Sequence, residues 1–165
     1  MINIILIGMM GSGKTTVGQE LAKRLSYRFV DTDKIIEEMQ GMAVSDIFKL
    51  HGEARFRELE VSTLEKLKQL EKTVLSTGGG VILNPQNTLC LKEMGMIFYL
   101  RGSLKQLKEN LGESDETRPM LQTNSLDVIL KVRSSLYEQT ATQVIDIDGK
   151  SVNEIVEEIV NRIGN

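Results

Sequence analysis

The chain has 165 residues, 41% hydrophobic and 26% charged, the balance of an ordinary folded domain and not of a disordered, collagen-like or coiled-coil chain. Twenty Lys+Arg against 23 Asp+Glu leave a net charge of -3, and aromatics are 4% with no Trp, so neither a global basic field nor base-stacking platforms are present to draw nucleic acid. The longest apolar run, at 4–7, is far too short for a membrane span, and the lone Cys90 excludes an internal disulfide framework or an all-cysteine metal site.

Glycines from Gly8 onward, with Lys14 close behind, interrupt the first apolar stretch before it could act as a signal peptide. The expectation is a single reduced, cytoplasmic domain without membrane or nucleic-acid partners, and a monomer. Along the chain, 2–7 reads as a buried strand, because β-branched residues fill both of its faces. Residues 15–25 place Val17, Leu21, Ala22 and Leu25 on one helix face. A second strand at 27–30 ends at Asp31-Thr32-Asp33, followed by a helix over about 34–40 with Gly41 as its stop. Two further helices are predicted at 45–50 and 53 to about 70.

The third strand, at 73–76, closes on Gly78-Gly79-Gly80, and Pro85 suits the first turn of the next helix. A fourth strand at 96–100 leads into a helix over 104 to about 110. Residues 111–119 are charged, lack an apolar period, and read as a mobile loop. A helix at 125–138, a fifth strand at 144–147 and a final helix at 152–163 complete the chain. Strands alternating with helices imply right-handed crossovers and a parallel sheet covered on both faces, a single three-layer α/β domain.

The segment Gly8-Met9-Met10-Gly11-Ser12-Gly13-Lys14-Thr15 matches G-x-x-x-x-G-K-[ST] between a predicted strand and a predicted helix. Glycines let successive backbone N–H groups turn inward around phosphate oxygens, and the following helix adds its positive dipole end. Lys14 can reach the β- and γ-phosphates, and the Thr15 hydroxyl can ligate Mg²⁺. Met9 and Met10 carry no phosphate logic and read as local packing.

Asp31 and Asp33 lie at the end of the second strand, where two carboxylates in extended register could share a site. One could serve the magnesium shell and the other accept a hydroxyl proton, or either could merely cap the next helix. Three consecutive glycines at 78–80 suit close approach to a ligand, or a tight structural turn. Arg57 and Glu60 share a helix face, so the carboxylate can hold the guanidinium, although the sequence by itself favours a solvated charge run here. Arg118 and Arg133 are ambiguous in isolation. His51 and Cys90 have no matching partners and carry no chemistry.

Taken together, GMMGSGKTT at 8–16, DTD at 31–33, GEARFRELE at 52–60, TGGG at 77–80, TRPML at 117–121 and RSSLYEQTA at 133–141 resemble the shikimate kinases over nearly the whole chain. That resemblance implies the nucleoside-monophosphate-kinase architecture with strand order 2-3-1-4-5. It also implies transfer of the ATP γ-phosphoryl group to the 3-hydroxyl of shikimate, on the way to chorismate and the aromatic amino acids. ATP would be held by Gly11, Ser12, Gly13, Lys14, Thr15, Thr16 and Arg118, with Lys14, Asp33 and Arg118 catalytic.

Asp33, Arg57, Arg133 and Gly78 to Gly80 would hold shikimate, Asp33 being the candidate base. Magnesium would sit on Thr15 and, through water, on Asp31. A shikimate-binding helical region at about 33–60 and a lid at about 111–119 follow from the same likeness. One departure stands out: many relatives carry an arginine seven positions before the lid arginine, where this chain has Leu111. Adenine contact is then left to apolar packing and to Gly149-Lys150-Ser151. A gluconate kinase would not need both Arg57 and Arg133, a nucleoside monophosphate kinase would have no evident use for the 31–33 and 52–60 stretches, and a GTPase would show an N-K-x-D stretch that is absent.

Overall fold

The computed structural model describes residues 2–112 and 125–164. Arg118 and most of the expected lid therefore lie outside the described residues. Five strands form one all-parallel sheet in the order β2-β3-β1-β4-β5. They are β1 (Asn3–Ile7), β2 (Arg28–Asp31), β3 (Thr73–Ser76), β4 (Gly95–Arg101) and β5 (Gln143–Asp146). The helices are α1 (Lys14–Leu25), α2 (Thr32–Gln40), α3 (Val44–Leu67), α4 (Pro85–Met94), α5 (Leu104–Leu111), α6 (Leu126–Thr140) and α7 (Val152–Ile163), with a short 3₁₀ turn at Val81–Leu83 before α4. Both the layer architecture and the strand order agree with expectation.

The central strand β1 is buried along its whole length, as its lack of alternation requires of a strand covered on both faces. Parallel pairing sets Leu6 opposite Ser76 and, across β3, Ser76 opposite Asp31. The carboxyl ends of β1, β2 and β3 thus lie level, and the loops that leave them open at one edge of the sheet, where α/β folds collect ligands.

Local chemistry fixes the element ends. The Asn84 side chain accepts from the Gln86 N–H at 2.9 Å and Pro85 occupies the first turn of α4, as predicted. The two predicted helices at 45–50 and 53–70 are the two halves of α3, broken at Gly52, whose φ of 82° no β-carbon-bearing residue adopts cheaply. Its second half stops at Leu67, short of the expected 70. Helix α2 begins at Thr32, two residues earlier than predicted, because Asp31 at the end of β2 accepts from the backbone N–H groups of Asp33 and Lys34. The capping alternative for Asp31 is therefore real, and Asp33 sits on a helical turn, not on an extended segment.

Beside the main core, Ile36, Ile47, Phe56 and Leu59 form a satellite cluster with Met42, Val44 and Phe48. It braces α2 against α3 and so sets the position of the 33–60 region over the sheet edge.

At the opposite edge, the buried Asn3 amide donates to the carbonyls of Leu70 (2.7 Å) and Met94 (3.2 Å), and its oxygen accepts from the Thr73 N–H (3.0 Å). One side chain thus ties β1 to the chain entering β3 and β4. Asn3→Leu strands two carbonyls and an N–H at a buried point, and is expected to destabilise by about 3 kcal/mol. Urea unfolding checks this, and because Asn3 is remote from the ligand edge, kcat should stay within about twofold.

Candidate active site

The loop that follows β1 wraps a cavity of about 500 Å³ lined by Gly11, Ser12, Gly13, Lys14, Thr15 and Thr16. Gly11 and Gly13 take φ of +84° and +86°, the left-handed turn that points consecutive N–H groups inward. Gly13 also caps α1, so the first turn of that helix opens onto the cavity. Ser12 is buried, and Met9 packs into the core as expected, whereas Met10 borders the cavity. The Lys14 ammonium donates to the carbonyls of Gly8 (2.8 Å) and Met9 (3.0 Å), which holds it along the inner rim of the loop. The Thr15 hydroxyl donates to Asp31 Oδ2 at 3.2 Å, placing a hydroxyl and a carboxylate side by side on that rim. Hard oxygen donors in that pairing suit Mg²⁺, which binds through one or two protein ligands and the phosphates of its nucleotide.

A second cavity of about 600 Å³ adjoins the first and shares Met10, Asp33, Gly78 and Gly79 with it. Its charged lining includes Asp33, Arg57, Glu60 and Arg133, and Phe48 and Phe56 supply an apolar wall. The glycine run is the surface on which these charges converge. A β-carbon on Gly78 would stand 2.7 Å from Asp33 Oδ1 and 3.0 Å from Glu60 Oε2. One on Gly79 would lie 3.3 Å from an Arg133 guanidinium nitrogen, and one on Gly80 would overlap the Arg57 guanidinium. None of the three has a positive φ. Their requirement is for space, and the groups that need the space are protein side chains.

Arg57 donates to Glu60 Oε1 at 2.8 Å, the i,i+3 pairing expected from the sequence, and also pairs with Glu53 at 3.3 Å. Glu60 is almost fully buried, and burial pushes its carboxyl up, with Arg57 opposing. Asp33 is pushed up to about 7 by burial first and then by the Glu60 and Asp31 carboxylates, with Lys14 pulling the other way. Asp33 Oδ1 and Glu60 Oε2 are both sealed from solvent and find no hydrogen-bond partner among the described residues.

Arg133 is also buried, on α6, one turn before Tyr137. The sequence reading passed over Tyr137, although its i,i+4 spacing from Arg133 puts the two on one face. The Tyr137 hydroxyl donates to the Gly79 carbonyl at 2.5 Å, and its ring stacks on Tyr99 with centroids 4.9 Å apart. Tyr99 pairs in register with Ile7, the residue before the phosphate loop.

Of the site residues expected from the sequence, the described ones gather around the two joined cavities: Gly11 to Thr16, Asp31 and Asp33 at the first, and Asp33, Arg57, Gly78 to Gly80 and Arg133 at the second. The far end of the first cavity is closed by Gln106, Asn110, Leu111, Ile147, Lys150 and Ile155. Leu111 is buried and packs on Gly11, whose β-carbon would stand 2.8 Å from Leu111 Cγ.

A phosphate loop on the central strand of a 2-3-1-4-5 parallel sheet, opening on a second cavity, defines a P-loop kinase. The profile of the shikimate kinases matches residues 10–164. A shikimate kinase of Caldanaerobacter subterraneus subsp. tengcongensis is 39% identical over 97% of this chain and 95% of its own, and one of Microcystis aeruginosa is 41% identical over 98% and 86%. Among solved structures, the shikimate kinase of Acinetobacter baumannii in complex with shikimate superposes with a TM-score of 0.94 at 35% identity, covering 99% of this chain and 93% of that one. Thymidylate kinase of Candida albicans, at 15% identity and a TM-score of 0.60, shares the fold. The chain belongs to the shikimate kinase family and is an ATP-dependent kinase.

Two outcomes follow from the buried groups. The Asp33 carboxyl holds its proton to about pH 7 in the folded protein and to about 3.8 when unfolded. Between those values the folded state alone carries the proton, so the contribution of Asp33 to stability falls as pH rises and is most unfavourable above 7. Asp33→Asn, which cannot ionise, is expected to stabilise the ligand-free protein by about 2 kcal/mol at pH 8, below the ceiling of about 4 for a shift of this size. The gain should shrink to a small fraction at pH 4.5, as urea titrations at the two pH values would register. Tyr137→Phe leaves the Gly79 carbonyl without its donor, and steady-state kinetics should show the KM for the acceptor raised about fivefold while that for ATP is unchanged.

Proposed function

We propose that the first cavity binds ATP and the second binds shikimate, and that Asp33, at their junction, is the base for phosphoryl transfer to the 3-hydroxyl. The observation that carries this reading is the convergence of two carboxylates and two guanidinium groups on Gly78 to Gly80, immediately beside the phosphate loop. Arg57 and Arg133 offer the planar, multi-donor geometry that suits a carboxylate, and the Asp33 carboxylate suits a sugar-like hydroxyl. Arg57 is half-buried and already paired with Glu60 and Glu53, and Arg133 is buried, so two guanidinium groups lining one cavity favour an acceptor that carries a carboxylate over an uncharged one.

In the proposed reaction the acceptor oxygen forms a bond to the γ-phosphorus, the bond from that phosphorus to the ADP oxygen breaks, and the hydroxyl proton passes to the Asp33 carboxylate. Transfer of this kind proceeds through a loose transition state, so the protein acts by positioning and by opposing developed charge more than by covalent chemistry. The phosphate-loop N–H groups and Lys14 hold the β- and γ-phosphates. Thr15 and Asp31 are the residues that would hold magnesium, and the ion would supply charge neutralisation at the phosphate oxygens. Arg118 completes the catalytic set on the strength of the family likeness. A proton affinity near neutrality suits Asp33 to accept a proton as the bond forms, once the adjacent cations bias it toward the ionised state.

The same reading makes 33–60 the acceptor-binding region and 111–119 a lid over the phosphates. A cytoplasmic monomer acting on small soluble substrates belongs to the same proposal. No helix among the described residues is long and apolar enough to cross a membrane.

A coupled assay for ADP release with MgATP tests the assignment when shikimate, gluconate and nucleoside monophosphates are offered separately. Turnover with shikimate alone is expected, and turnover with another acceptor only would reassign Arg57 and Arg133. Within that assay Lys14→Ala and Asp33→Asn should each lower kcat at least about a hundredfold. Arg133→Ala should act mainly on the KM for shikimate. Near-normal turnover in Asp33→Asn removes it as the base.

A further inference from the structure

The nucleoside end of the first cavity is joined to the phosphate loop by a chain of side-chain amides that the sequence did not announce. The Gly149 N–H donates to Gln106 Oε1 at 3.1 Å, Gln106 Nε2 donates to Asn110 Oδ1 at 3.0 Å, and Asn110 Nδ2 donates to the Gly11 carbonyl at 2.8 Å. Gln106 and Asn110 are i and i+4 on α5, so the relay runs along one face of that helix. It starts at a backbone donor and finishes at a backbone acceptor. Turning either amide over would set oxygen against oxygen and nitrogen against nitrogen, so both orientations are determined by the two ends.

Both ends are glycines in the left-handed region, Gly149 at φ +69° and Gly11 at φ +84°. Gly149 has open space where a β-carbon would be, so its glycine serves the turn that aims its N–H at Gln106. Gly11 is hemmed in by Leu111 and the Leu107 carbonyl, so α5 is seated directly on the phosphate loop. The loop carrying Gly149 is anchored on its other side as well. Lys150 pairs with Glu158 at 3.2 Å, and Ser151 and Glu154 cap α7 reciprocally. A ligand seated in this cavity with its phosphates on Gly11 to Thr16 and its base against Leu111, Ile147 and Ile155 bridges two walls whose separation this relay fixes.

We propose that Gln106 and Asn110 are positioning residues for the nucleotide, setting the distance between the phosphate loop and the base-binding wall. The proposal rests on reading the first cavity as the nucleotide site. It separates ligands by what they span. A ligand that engages both walls gains from their being held at the right separation beforehand, whereas one that fills the phosphate loop alone gains nothing. Each link is solvent-accessible and individually modest, and the two amides act as one unit, because breaking any link uncouples the walls.

The experiment is calorimetric titration of ADP, and separately of inorganic tripolyphosphate, into the parent protein and into Gln106→Met, Asn110→Leu and the double variant. Gln106 is only half-buried and Asn110 is exposed, so all of these are expected to fold. The ADP Kd should rise about 5- to 20-fold in each single variant, with the double variant no worse than the weaker single one and tripolyphosphate changed less than about twofold. Unchanged ADP affinity would overturn the proposal. So would a parallel loss of tripolyphosphate binding, which would locate the effect in the phosphate loop alone, or additive losses, which would make the two residues independent contacts. A parent protein that binds tripolyphosphate but not ADP would instead overturn the nucleotide reading of the cavity, and the relay with it.

Discussion

Space at Gly78, Gly79 and Gly80 is the constraint on which the acceptor side of this molecule depends. Asp33, Glu60, Arg133 and Arg57 come from three different helices, yet all reach the same short stretch of backbone after β3. They can do so only because that stretch has no side chains. A methyl group at Gly78 or Gly80 would clash with Asp33 or Arg57, and one at Gly79 would press on Arg133. The triplet therefore works as a flat seat that brings side chains distant in sequence within reach of one ligand, and the satellite core under α2 and α3 keeps the 33–60 region lowered onto it. Tyr137 fixes the seat itself, with its hydroxyl on the Gly79 carbonyl and its ring on Tyr99, beside the strand that delivers the phosphate loop.

Crowding at that seat has an electrostatic consequence. Burial raises the proton affinity of Asp33 and Glu60 together, and each has an oxygen with no partner among the described residues. Arg57 is committed to Glu60, and Lys14 to carbonyls of its own loop. The ligand-free site thus holds carboxylate oxygens that are incompletely satisfied, which costs stability in the resting protein. On the proposed reading a hydroxyl entering the second cavity would approach the Asp33 carboxyl, and a carboxylate would meet the guanidinium groups.

Much of this was legible in the sequence, and what was legible had a local cause. Buried strands without alternation, the Gly13-Lys14-Thr15 helix start and the Asn84-Pro85 cap each follow from neighbours within a few residues. The pairing of Arg57 with Glu60 follows from helical spacing alone. Helix α2 starts earlier than expected because one oxygen of Asp31 serves as its cap, while the other accepts from the Thr15 hydroxyl. The reason for the glycine triplet was not legible, since it lies in contacts with residues about 20 to 55 positions away. Tyr137 and the amides of Gln106 and Asn110 were passed over for a related reason. Their importance comes from what they touch across the fold, and none carries a charge, although Tyr137 lies within the 133–141 stretch.

Replacement of the family's common arginine by Leu111 changes how the nucleotide end must work. An arginine there would offer a cation to the ligand and hold the wall by charge. Leu111 instead packs on Gly11, and the cohesion between wall and phosphate loop passes to the neutral amides of Gln106 and Asn110. Neutral hydrogen bonds are weaker than charge-assisted ones, but they are short-ranged and directional, so they define a distance more sharply than they add attraction. With the nucleotide seated in the first cavity as proposed, affinity at this end would come from apolar contact with Leu111, Ile147 and Ile155, and charge recognition would be concentrated at the phosphates. On that reading ions would govern the reacting end of the nucleotide and geometry the other.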